Sequence, residues 1–113
     1  MAIQVNKEIT TNNGFVVEPG SYIRSEVRFP YDNFNGIFVL HWFKDLEEYQ
    51  ANPKGELIPS TTICGVRFTK TMTEAEFNAL LSATDTGVQF NQFVIDYLSS
   101  FDYFEPTDFQ IVN

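Results

Sequence analysis

Phe34 to Gln50, FNGIFVLHWFKDLEEYQ, decides how this chain folds. From Ile37 to Phe43 every residue except His41 is apolar, whereas a strand with one wet face would alternate. The run therefore predicts a strand covered on both faces, the central one of its sheet. Asn35-Gly36 and Lys44-Asp45 bound it, and Asp45 to Gln50 predicts a short helical turn.

On the N-terminal side, Ser21 to Phe29 predicts a strand with Ile23, Ser25, Val27 and Phe29 inward and Tyr22, Arg24, Glu26 and Arg28 outward. Pro30 ends it, and Glu18-Pro19-Gly20-Ser21 before it has Pro and Gly where a type II turn needs them. Residues 3–9 alternate as a strand with one wet face, and Lys7 in the inner row marks it as an edge. Asn13-Gly14 predicts a type I′ hairpin pairing this strand with Phe15-Val16-Val17.

On the C-terminal side, Asn52-Pro53-Lys54-Gly55 closes the helical turn and Thr61 to Thr69 predicts a fifth, β-branched strand, in which Gly65 marks a bulge or a close crossing. Thr73-Glu74-Ala75-Glu76 is a capping box, so a helix starts at Glu74, with Phe77, Leu80 and Leu81 as its buried stripe. Thr86-Gly87 breaks it. A second helix runs from about Val88 to Phe101, with Phe90, Phe93, Val94, Tyr97, Leu98 and Phe101 at spacings of three and four.

These elements give an α+β domain over residues 1–101: an antiparallel sheet or small sandwich of about five strands, with two C-terminal helices. Residues 102–113 form an extended docking tail. Tyr103, Phe104, Phe109, Ile111 and Val112 keep that tail adhesive while Pro106 bars a helix through it. It adds a strand at 108–112 to its own sheet or lies on a neighbouring subunit.

At 113 residues the chain is long enough to bury a core without disulfides or structural metal, and its single Cys64 excludes an internal disulfide and a cysteine-based metal cluster. Twelve Phe, five Tyr and one Trp exceed what such a core readily encloses, which predicts rings at a surface or interface. No basic leader or membrane-length apolar run is present, so the expectation is a soluble chain made and kept in a cytoplasm.

The net charge of −8 is unevenly laid out: every Lys and Arg lies at or before Lys70, and the seven acids from Glu74 to Asp108 face no base beyond it. Such a field repels nucleic acid and anionic membrane, and serves either solubility or a basic partner. Arg24 and Arg28 form an outward basic row, which is either a solvated face or a contact for an acidic partner. If that partner is a second copy, the contact is head-to-tail and produces rings or filaments.

Catalytic candidates are sparse. His41 and Cys64 form a dyad only if their strands are neighbours, and lone residues of these types in apolar strands ordinarily serve packing. Asp96, Asp102, Glu105 and Asp108 lack the spacing and glycine of a calcium loop and read as a solvated surface, as do Glu47 and Glu48. The glycines are isolated and form no phosphate loop. The expectation is no catalytic residue, no metal and no cofactor.

GFVVEPGSYIR at 14–24, WFKDLEEYQ at 42–50, RFTKTMTEAEF at 67–77 and the YLSSF helix end at 97–101 together resemble small neck, ring or tail proteins of tailed bacteriophages, those of crAss-like phages in particular. The resemblance is one of overall rhythm over most of the chain, without a diagnostic motif. It implies a non-enzymatic virion component, synthesised in the host cytoplasm and present in many copies in a ring. Its partners are then other copies of itself and other virion proteins, with no nucleic acid or membrane contacted directly. The interface residues expected on this reading are Phe104, Phe109 and Ile111 as apolar anchors and Arg24 and Arg28 as the basic counterpart. The rival reading is an aromatic-rich sandwich that binds a glycan or peptide in a groove lined by Tyr22, Tyr31 and Trp42. An enzyme is a third, requiring His41 exposed in a pocket near a carboxylate.

Overall fold

The computed structural model describes residues 2–11, 14, 16–28, 36–51 and 69–112. Within them the chain is α+β. Strands β1 (Ala2–Val5), β4 (Ser21–Arg28), β5 (Ile37–Phe43), β6 (Thr69–Thr71) and β7 (Phe109–Val112) form one antiparallel sheet in the order β6-β5-β4-β1-β7. Strands β2 (Ile9–Thr10) and β3 (Val16–Val17) form a second sheet of two. Three helices accompany them, α1 (Leu46–Ala51), α2 (Glu74–Leu81) and α3 (Thr86–Ser99).

The apolar run folds as its composition demands. Phe38, Leu40 and Trp42 are buried on one face of β5, and Val39 and Phe43 on the other. It is not the central strand, however. β4 holds the middle of the sheet and β5 lies between it and β6. Cross-strand pairs Ile23–Trp42, Ser25–Leu40 and Ile3–Ile23 place the β4 residues 23 and 25 on the same inner face, while Tyr22, Arg24, Glu26 and Arg28 share the outer one. The predicted strand at 61–69, with Cys64 and Gly65, lies outside the described residues apart from its last residue.

Helix α3 crosses the inner face. Val94, Ile95 and Leu98 pack with Ile3, Val5, Ile23, Leu40 and Trp42, and Ile9, Val17, Phe104 and Phe109 complete this core. A second cluster of Phe38, Met72 and Leu80, with Phe77, Phe90 and Phe93 against it, sits where α2 meets α3. The capping box at Thr73 is complete: the Glu76 amide donates to Thr73 Oγ1 at 3.1 Å and the Thr73 amide to Glu76 Oε1 at 3.0 Å. On the outer face α1 sets Tyr49 against Tyr22 and Phe43, with ring centroids 5.5 and 5.4 Å away. Its first turn is capped by Asp45, whose Oδ1 accepts from the Glu48 amide.

Several expectations are corrected. Residues 3–9 do not make one edge strand: β1 stops at Val5 and lies between β4 and β7, and Lys7 falls in the bend after it. The pairing of Ile9 with Val17 follows the hairpin expectation, but the connection spans residues 11–15, and the Gly14 amide donates to Thr11 O. Gly14 has a φ of +85°, and Asn13, the other half of the expected type I′ turn, lies outside the described residues. Gly20 takes the positive φ expected of it, +101°. Leu81 is 69% exposed, so the buried stripe of α2 is Phe77 and Leu80. Thr86-Gly87 is the first turn of α3 and not a break, because Asp85 caps that helix through the Val88 amide at 3.1 Å. Helix α3 also buries Asn91, a polar member of the stripe, whose Nδ2 donates to Gly87 O and whose Oδ1 accepts from Ser25.

The surplus of rings does not reach the surface among the described residues. Each described aromatic side chain is buried or half-buried, and rings pack in pairs such as Phe38–Phe93, Tyr97–Phe101 and Phe104–Phe109. A sheet with one helix layer on the inner face and α1 on the outer offers enclosed surface on both sides.

Candidate protein interface

The tail is part of the fold. Residues Pro106–Asp108 make a single 3-10 turn that delivers β7 alongside β1, with Ala2–Val112, Ile3–Ile111, Gln4–Gln110 and Val5–Phe109 as cross-strand pairs. Phe104 is 3% and Phe109 8% exposed, both in the core with Trp42. These two rings, expected as anchors for another chain, are enclosed by their own. Ile111 is half-buried at the edge of the same cluster.

Lys7 ties the tail down. Its Nζ donates to the Tyr103 carbonyl, lies 4.4 Å over the Tyr103 ring and stands 3.8 Å from Asp108 Oδ2. Tyr103 in turn donates its hydroxyl to Glu8 O at 3.0 Å, and Asp108 Oδ2 accepts from the Glu105 amide at 2.8 Å. The sequence signalled Lys7 only as a charge in an apolar row; its partner is about a hundred residues away, beyond the reach of any local pattern.

What the tail leaves outward is a strand edge. β7 pairs on one side with β1, and among the described residues no strand pairs with its other side. Its sequence, Phe-Gln-Ile-Val, contains no charge and no proline, the usual devices that keep an edge from accepting another strand.

The expected basic row is not free. Arg28 is bidentate to Glu26, Nε to Oε1 at 2.9 Å and Nη2 to Oε2 at 3.1 Å, and His41 Nε2 lies 2.9 Å from Glu26 Oε2. The Arg24 guanidinium lies 4.5 Å over the Tyr49 ring and 5.3 Å over Phe43. Glu26 was legible as an outward residue two positions from Arg28, the spacing that places both on one face. With the two arginines engaged within the chain, a head-to-tail contact between this row and the acidic helices loses its basic half.

Glu26 is held well below its ordinary 4.5, at about 2, first by the hydrogen bond from Arg28 and then by that to His41. A depressed carboxylate contributes stability that is present above its unfolded pKa and is lost as pH falls from about 4.5 towards about 2. Because the side chain is 44% exposed, solvent screening holds the loss to about 1 kcal/mol. Glu26→Gln is expected to flatten that part of the stability curve, measured by urea titration across this pH range; an unchanged acid limb would show that the cluster does not stabilise the fold.

Elsewhere the charges separate. Lys44 pairs with Glu48 and Lys70 with Glu76, while Glu74, Asp85, Asp96, Asp102 and Glu105 have no cation within ion-pair distance among the described residues. No group of three metal-ligating side chains converges among the described residues. No helix there is long and apolar enough to cross a membrane. His41 is 15% exposed and its nearest carboxylate, Glu26, is bound by Arg28. Trp42 is 0% exposed, so it lines no groove of the kind the rival reading requires, and Tyr31 lies outside the described residues. No protein-family profile, curated protein or solved structure matches this chain.

Proposed function

We propose that this chain is a non-enzymatic structural subunit of an oligomeric assembly, of the kind that forms a neck, ring or tail component of a bacteriophage virion, and that it acts through protein–protein contacts. The observation that carries the reading is the uncharged, proline-free β7 at one edge of the five-stranded sheet. Natural sheets ordinarily guard such an edge with lysine, proline, a bulge or a covering element, and an unguarded one pairs with another chain. The virion setting comes from the resemblance in sequence rhythm. The burial of Trp42 weighs against the groove-binding alternative.

Native mass across a series from micromolar to millimolar concentration tests the reading. A mass that grows with concentration, or a closed oligomer throughout, supports a self-assembling subunit. A strict monomer over the whole series overturns it.

A further inference from the structure

We infer that the partner strand is β7 of a second copy, laid antiparallel across a twofold axis at Ile111, so that the sheets of the two copies become one continuous sheet. This rests on the reading of the chain as an assembly subunit and names the surface that joins two copies.

The register supplies the argument. The Asn6 amide donates to Asp108 O at 2.8 Å, which makes 6 and 108 a hydrogen-bonded pair of the β1–β7 ladder. Hydrogen-bonded pairs alternate in an antiparallel ladder, so 4–110 and 2–112 are also bonded pairs while 5–109 and 3–111 are not. The N–H and C=O of Phe109 and Ile111 therefore point away from β1, to the open side. The Phe109 amide turns back to Pro106 O. Ile111 is left presenting one donor and one acceptor side by side.

A strand that presents such a pair at one residue is complementary to itself. When two copies meet antiparallel at Ile111, each N–H meets the other C=O, and both hydrogen bonds of a bonded pair form at once. The inner faces of the two sheets stay on one side, Ile111 facing Ile111 and Gln110 facing Val112, and no like charges are opposed within residues 109–112.

Charge sets the centre at Ile111. Each copy carries a net −8, and the nearest acid on the strand line is Asp108, already paired with Lys7. At about 3.4 Å per residue Asp108 stands about 10 Å from the axis and about 20 Å from its twin, well past a screening length of about 8 Å in physiological salt. A register centred nearer Asp108 brings the two carboxylates together and is disfavoured.

Ile111→Pro is the direct test. Proline removes an N–H that the internal ladder does not use, so the sheet within one chain keeps its bonds while the contact loses both of its own. The expected result is about a thirtyfold rise in the dimer dissociation constant, from two hydrogen bonds of ordinary net worth. Gln110→Lys is the second variant. It places a lysine on the exposed side of the edge without disturbing the core, and also weakens association. Blue-shifted emission from buried Trp42, the only tryptophan, reports that each variant is folded. Added salt is expected to strengthen wild-type association, since the copies are like-charged. Folded variants that associate as tightly as wild type, or association that weakens with salt, would overturn pairing through β7 and leave assembly through another surface standing. A wild-type chain that never associates removes the assembly reading itself.

Discussion

Deleting residues 103–113 is expected to abolish cooperative folding of the chain that remains. Phe104 and Phe109 are 3% and 8% exposed with ring centroids 5.3 Å apart at a tilt of 44°, and the Phe104 ring sits 6.3 Å from that of Trp42. Burying a phenylalanine contributes about 1.5–3 kcal/mol, so the pair accounts for about 3–6 kcal/mol before the β1–β7 ladder is counted. A domain of this size has a net stability of about 5–15 kcal/mol. The truncation also uncovers Trp42, turns β1 into an edge, and strands Lys7 without Tyr103 and Asp108. Far-UV circular dichroism during a thermal scan reads the outcome: a broad, non-cooperative loss of signal is expected, with Trp42 emission shifted to the red. A sharp transition near that of the full chain would instead establish residues 1–102 as a self-sufficient domain with a dispensable tail.

That division at residue 101 was the point at which local reading stopped. Alternation, apolar runs and cap motifs act over a few residues; they predicted strands at 21–29 and 37–43 and the capping box at Thr73, and the fold has Ser21–Arg28, Ile37–Phe43 and that box. For the apolar tail, a strand at 108–112 in its own sheet and docking on a neighbouring subunit were both open, and the fold has the first. Which strand it joins depends on β1, at the far end of the chain, and on two phenylalanines that fill the core beneath the junction. Composition alone reads such rings as surplus, and they become core once the topology brings both termini over the same helix. The same non-locality explains Lys7. A lysine in the inner row of a strand over residues 3–9 reads as the mark of an exposed edge, yet this one falls after β1 and holds the tail that pairs with it.

Of the residues expected at an interface, Phe104 and Phe109 lie in the core of their own chain. Ile111 was an expected contact residue, and the described strand edge places its backbone outward while its side chain rests against the core. Arg24 and Arg28 were read by residue type. Their engagement with Tyr49 and Glu26 depends on where α1 lands and on a same-face carboxylate. The start of α3 turned on a single residue. Gly87 looked like a breaker, but in the first turn its flexibility costs little and Asp85 two residues earlier supplies the cap.

Trp42→Ala is expected to destabilise the chain by about 3–5 kcal/mol, the range for removing a large buried ring. Trp42 is 0% exposed, its Nε1 donates to the buried Ser21 Oγ at 2.9 Å, and it faces Phe104 from the tail. Alanine leaves a cavity at the junction of β4, β5 and α3, where strands on both sides of β5 and helix α3 above restrict collapse. Trp42→Phe retains most of the ring and loses the N–H, so its cost is expected to be smaller, about 1–2 kcal/mol. The variants lack the only tryptophan, and urea unfolding followed by far-UV circular dichroism supplies the measurement. The comparison also separates two functions. A tryptophan lining a groove for a glycan or peptide is at the surface in the free protein, and its truncation changes stability by about 0.5 kcal/mol or less. Loss of several kcal/mol assigns the ring to the core on which the tail is seated and removes it from any groove.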